Sequence, residues 1–122
     1  MRWIGRAVLG VAAVHTLFGA AVFRGTVSAM AREGFVATIT DQADRGAVFW
    51  FFYTGFALAI LGGWMHECEA EERRFPTYLV AGLAALTGAG LLIMPASGFW
   101  LLIPPVGGAI VRNRRMSVTV RR

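Results

Sequence analysis

Among the residues able to do chemistry, His15 stands out because it lies deep inside an apolar run, where an ionisable side chain is costly. An imidazole titrates near neutral pH, so His15 reads as a ligand contact or proton carrier. The competing role is a neutral histidine that hydrogen-bonds Tyr53 or Thr87 and fixes helix register. Tyr53 and Thr87 place a phenol and a hydroxyl inside two further apolar runs. Arg45, with Asp41 and Asp44 beside it, could reach down to an anionic or carbonyl ligand. Its other role is an interfacial anchor paired with a nearby carboxylate. Trp50 and Trp100 suit either the wall of the same cavity or an aromatic belt at the membrane surface.

Other constellations fall short. His66-Glu67-Cys68-Glu69 alternates two ligand types on a short segment, which does not make a zinc site, and no metal ligands are assigned. The neighbouring glutamates oppose thiolate formation at Cys68, and a lone cysteine cannot form an intramolecular disulfide. No Walker loop, dinucleotide fingerprint, HExxH or GxSxG occurs, so no cofactor is specified.

Elements must hold these residues in place. The stretch between Arg45 and His66 is twenty residues without a formal charge, and as a helix it covers about 30 Å, the thickness of bilayer hydrocarbon. Further apolar runs cover 3–23, 76–94 and, with Pro104-Pro105 inside it, 96–111. The first is long for a signal peptide, and Gly19-Ala20-Ala21 is a weak cleavage site, so it reads as a retained helix. Residues 24–45 read as an outer loop or as an interfacial amphipathic helix interrupted at Gly34. In the segment 66–75, Glu69 and Arg73 are spaced to pair on a solvated helical turn. Spans 3–23, 46–65, 76–94 and 96–111 thus make one domain over 1–122, an all-α integral membrane four-helix bundle.

Charge sets the orientation. Every one of the 12 basic residues is arginine, and they cluster at the ends of apolar runs. With four spans, nine arginines share the side of the termini and three (Arg24, Arg32, Arg45) face the other way. That bias puts both termini in the cytoplasm of a multi-pass inner-membrane protein. A nucleic-acid partner is not expected, because a nucleic-acid binder gathers its arginines on one solvated face. The bilayer is the primary partner, and Gly55, Ala59 and Gly63, with Ala81, Ala85 and Ala89, mark faces for close packing within one chain or in a homo-oligomer.

Counted from helix midpoints, His15, Tyr53 and Thr87 all fall about 3–4 Å to the outer side of the centre. Pro104 and Pro105 would free the carbonyls of Trp100 and Leu101 in the same half. Four helices then contribute polar groups to one layer, which predicts a pocket around His15.

The run of glycines leading to His15-Thr16-Leu17-Phe18-Gly19, Arg45 with Phe49-Trp50-Phe51, and Pro95-Ala96-Ser97-Gly98-Phe99-Trp100 resemble a family of small bacterial membrane proteins known as a domain of unknown function. The resemblance implies a four-helix membrane protein, supplies no activity, and directs attention to His15, Arg45, Trp50 and the turn from Ser97 to Trp100. The chain also resembles small multidrug exporters in having an ionisable group midway along its first helix, a glutamate there and His15 here; its first loop is longer and its charge bias stronger. The candidate ligand set is therefore His15, Arg45, Trp50, Tyr53, Thr87, Ser97 and Trp100. The function read from it is binding or conversion of a small hydrophobic or lipid-like ligand in a pocket open to the outer half. The alternatives are an oligomeric proton-coupled transporter and a structural or partner subunit, the last expected if the core is filled and a glycine-alanine groove is exposed.

Overall fold

A computed structural model describes residues 2–119. Arg121 and Arg122, counted above in the charge bias, lie outside the described residues. The described chain is all-α, with α1 (Ile4–Val22), α2 (Arg24–Arg32), α3 (Ala43–Ala70), α4 (Thr77–Ile93), a 3-10 turn (Gly98–Leu102) and α5 (Ile103–Thr119). Two helices, α1 and α3, are long and apolar enough to cross a membrane, and α4 is a shorter apolar helix.

Local chemistry sets these boundaries. Pro76 caps α4 in an extended conformation (ψ 135°), as a residue without an N–H suits the start of a helix. Pro104 and Pro105 fall in the first turn of α5, where a missing N–H breaks no helical bond. They therefore do not interrupt a span, and the Trp100 carbonyl expected to be free accepts the N–H of Ile103. The helix expected over 96–111 also begins later, as α5 at Ile103, and continues through Arg112–Arg115 to Thr119. Residues 24–32 form the short amphipathic helix, and beyond it Gly34 (φ 85°), Phe35 (φ 62°) and Ala37 (φ 53°) turn the chain through left-handed conformations. That geometry is costly for Phe35 and Ala37 and needs an external clamp.

The main packing is antiparallel, α1 against α3. It is closest at Gly5 and Gly62, where a Cβ on Gly5 would lie 2.3 Å from the His66 nitrogen and one on Gly62 2.8 Å from the Leu9 nitrogen. Both obstacles are backbone, so the helices touch main chain to main chain. Toward the other end of the pair, Gly55 faces Thr16 and His15, and Gly19 faces the Phe51 ring. α5 meets α1 where Gly108 accepts the Trp3 ring, and α4 packs on α5 and on the 3-10 turn, with the Phe99 ring over Gly90. Ile4, Val8, Met65, Cys68, Phe75, Val80 and Ala109 form one buried cluster near the end that carries the start of α1 and the end of α5, here the basal end.

Several basal polar groups are paired inside the fold, although His66 Nδ1 and Arg112 Nε are buried without a hydrogen-bond partner among the described residues. Glu69 is only 2% exposed, and its carboxyl oxygens accept the N–H groups of Ile4 (3.1 Å) and Gly5 (2.8 Å). Those are orphan donors of α1, whose N-cap residue Trp3 supplies no side-chain bond. An acidic group at a helix N-terminus is also favoured by the helix dipole. The expected pairing of Glu69 with Arg73 on a solvated turn is thereby corrected: Arg73 pairs with Glu71 instead. Asn113 clasps Phe75 at both backbone groups, accepting its N–H (3.1 Å) and donating to its carbonyl (2.8 Å). Arg112 donates to the Arg73 carbonyl (2.9 Å) and lies over the Phe75 ring (5.3 Å).

The surface is the reverse of a water-soluble one. Ile60 is 76% exposed and Leu92 85%, and Val14, Leu17, Phe18, Phe56, Leu86 and Ile93 lie more than half exposed beside them. The accessible surface is 8261 Å², against about 6,400 Å² for a soluble monomer of this mass.

Gly62→Ala should therefore lower stability in detergent by about 1–3 kcal/mol, because main-chain atoms cannot yield to a new Cβ. Gly63→Ala should be close to neutral, since nothing lies within 4 Å of its Cβ position. Thermal unfolding followed by circular dichroism checks the pair, and equal melting temperatures for the two variants would contradict the packing described.

Candidate functional site

His15 sits in the seam between α1 and α3. Its Nε2 lies 2.9 Å from the Phe51 carbonyl, which can only accept, so the proton of that bond is on Nε2. The imidazole also stacks on the Phe51 ring, with centroids 3.9 Å apart and planes inclined by 10°. Both contacts go to one residue on the facing helix. Geometrically this is a register lock, and the ring is half-buried within it.

Tyr53 is elsewhere. Residues 51 and 53 are two positions apart on one helix, about 200° around its axis, so an imidazole on Phe51 cannot also face Tyr53. Tyr53 joins Phe49 and Trp50 in an exposed aromatic patch, with centroid separations of 5.3–5.7 Å. Thr54 donates to the Trp50 carbonyl (2.8 Å) on its own helix. Thr87 is buried on α4, and its Oγ1 has no hydrogen-bond partner among the described residues. The backbone of α4 approaches α5 and the 3-10 turn and comes within 8 Å of neither α1 nor α3, which separates Thr87 from His15.

Arg45 closes the loop between α2 and α3. It grips Glu33 through two nitrogens (2.7 and 2.8 Å) and donates to the Thr38 carbonyl (2.7 Å). These bonds brace the left-handed turn at residues 34–37. The Arg45 guanidinium holds the Glu33 carboxyl below the ordinary glutamate range. Ser97 caps the 3-10 turn, accepting the Phe99 N–H at 3.5 Å, and the Trp100 indole donates to the Pro95 carbonyl at 2.8 Å. Ser97 and Trp100 thus secure their own turn.

The seven candidate residues therefore occupy separate places: the α1/α3 seam, the loop clamp, the α3 aromatic patch, the inner side of α4 and the 3-10 turn. The described residues form two open, nearly apolar grooves, and neither gathers them. One, about 390 Å³, runs beside His15 between α1 and α3 and is lined by Leu9, Ala12, Ala13, Thr16, Gly55, Phe56 and Ala59, among others. The other, about 430 Å³, lies between α4 and α5 at the basal end.

Several residues that organise these features were not singled out by the sequence. Glu33, the partner of Arg45, lies 12 positions before it, whereas Asp41 and Asp44 were the adjacent choices. Phe51 was one apolar residue in a run of aromatics, and it binds His15 through its backbone, to which the sequence gives no signal. Gly5 and Gly62 fall outside the every-fourth pattern; the clue to Gly62 was its adjacency to Gly63.

The class so defined is an all-α protein with two membrane-capable helices, an apolar exterior and polar groups largely paired inside. The chain belongs to the family described as Family of unknown function (DUF6463), whose model matches residues 1–116. No curated protein and no solved structure matches the chain.

The His15 geometry predicts that His15→Leu folds with unchanged helix content and loses on the order of 1 kcal/mol, the net value of one hydrogen bond. Chemical or thermal unfolding in detergent measures this. A variant as stable as the parent would show that the bond to Phe51 contributes nothing to holding α1 against α3.

Proposed function

We propose that this protein is a multi-pass integral protein of the inner membrane with both termini in the cytoplasm, and that it works by lateral helix association, as a structural or partner subunit whose first partner is a second copy of itself. The observation that carries this reading is the open α1/α3 groove. Ala12 and Gly55 lie buried at its floor, Ala13 and Ala59 keep its walls low, and His15, already bonded to Phe51, is not part of its lining. Small residues on a lipid-facing groove let another helix approach closely, and in lipid that packing drives association. The same groove on two copies is self-complementary about a two-fold axis. The arginine bias supports the orientation, with Arg2, Arg6, Arg73, Arg74, Arg112, Arg114 and Arg115 toward the basal end.

A second reading is a small hydrophobic ligand held at the opposite end. The observation in its favour is the exposed patch of Phe49, Trp50 and Tyr53, one turn beyond Arg45. A proton-coupled transporter would in addition need the dimer to enclose His15.

Orientation is tested by labelling. Single cysteines at Ser28 and Ser117 should react with an impermeant thiol reagent from opposite sides of the membrane, in a Cys68→Ala background, because Cys68 is buried. Reaction from the same side would overturn the four-span reading. Association is tested by oxidative cross-linking in membranes. Ala13→Cys or Ala59→Cys should give a covalent dimer, and Leu86→Cys, on exposed α4, should not. Equal cross-linking at all three sites would mean random collision and would remove the groove as the interface.

A further inference from the structure

The second groove differs from the first in its charge. Arg74 and Arg114 line it, one just ahead of α4 and one on α5, with Val80, Ala81, Ala84 and Ile110 along its length. None of its lining residues is acidic. Of the neighbouring basic groups, Arg73 pairs with Glu71, Arg112 donates through one terminal nitrogen to the Arg73 carbonyl, and Arg115 is also engaged. Arg74 and Arg114 have no ion-pair partner among the described residues. Two other polar residues of the wall are occupied: both ends of the Asn113 amide bind Phe75, and the Ser117 hydroxyl donates to the Asn113 carbonyl.

We propose that this groove is a binding site for one anionic phospholipid of the cytoplasmic leaflet, with its phosphate between Arg74 and Arg114 and an acyl chain along Val80, Ala81, Ala84 and Ile110. The site rests on the membrane reading above. Charge complementarity selects the headgroup: two unpaired guanidiniums face a groove without a carboxylate, and guanidinium forks match phosphate oxygens. The floor selects the rest of the molecule. From Thr77 to Ala84 the apolar wall descends about 10 Å along α4, away from the arginines. A free phosphate would use only the rim, and an uncharged lipid only the floor; an anionic phospholipid uses both. Basic pockets between transmembrane helices on the cytoplasmic side are suited to such headgroups. Thr77 at the start of α4 adds a hydroxyl beside them.

Native mass spectrometry of the full chain, released from vesicles of equimolar phosphatidylglycerol and phosphatidylcholine with matched chains, tests the site. The expected result is one retained phosphatidylglycerol. Arg74→Gln and Arg114→Gln should each lower the ratio of bound phosphatidylglycerol to phosphatidylcholine about fivefold, the effect of one basic residue near an anionic membrane surface. Arg2→Gln with Arg6→Gln, at the same end but outside the groove, should leave the ratio unchanged. Ala84→Phe, which fills the floor and keeps both arginines, should abolish retention. If that variant melts lower than the parent, the more exposed Ala81→Phe carries the same test. Equal retention of the two lipids overturns the proposal, as does an equal loss in the Arg2 and Arg6 control, which would reveal a diffuse surface field. Displacement of the lipid by millimolar inorganic phosphate would identify a free-phosphate site and also overturn it. A chain that fails to enter vesicles sinks the membrane reading itself, whereas insertion without lipid preference sinks only this site.

Discussion

The structure depends on how closely α1 can lie against α3. Gly5 and Gly62 bring two backbones together with no side chain between them. That contact fixes the start of α1 beside the end of α3, and so places Glu69 at the open N-terminus of α1. Without a glycine at either position the helices would separate, and the carboxyl group would lose the donors that justify its burial. The bond from His15 to Phe51 then sets the register nearer the other end of the same pair. Dispersion among Ile4, Val8 and Met65 packs the basal end around the glycine contact.

The rest is assembled on this hairpin with little contact of its own. α5 reaches α1 through Gly108 and Trp3, and it holds the connection into α4 through Asn113 and Arg112. α4 consequently hangs on α5 and the 3-10 turn, and its alanine stripe is left uncovered. An edge helix with exposed Ala81, Ala85 and Ala89 beside exposed Leu86 and Leu92 suits hydrocarbon and would be a liability in water. The two open grooves follow from this sparse packing: small residues on facing helices, such as Ala81 and Ala84 on α4 and Ala12 and Ala13 on α1, leave clefts beside the bulkier contacts.

Polar groups divide by location in a way that bears on function. At the basal end and in the loop between α2 and α3, Glu69, Asn113 and Arg45 are satisfied by specific partners. Inside the apolar region His15 is turned to a backbone carbonyl, the nearest acceptor a hydrophobic helix can supply. A histidine used in this way secures geometry at modest cost, and the groove between α1 and α3 is left open. Arg74 and Arg114 break this pattern of internal pairing, and their freedom is what points outward to an anionic group.

By itself the sequence determined the helical class, the two membrane-length helices found among the described residues, the arginine bias and the family, because apolar run length and charge placement are properties of a linear chain. It also limited residues 24–45 to two forms, of which α2 is one. It could not decide which polar groups meet. Depth follows from counting residues, but azimuth follows from packing, and 200° of helix separates Phe51, which His15 touches, from Tyr53, which it does not. It read Pro104-Pro105 as a break within a span because the start of α5 depends on the preceding 3-10 turn. It assigned Glu69 to water because its true partners, the N–H groups of Ile4 and Gly5, are more than sixty residues away and are brought to it only by the glycine contact. Tertiary structure alone decided these pairings, since each rests on two helices meeting at one particular rotation.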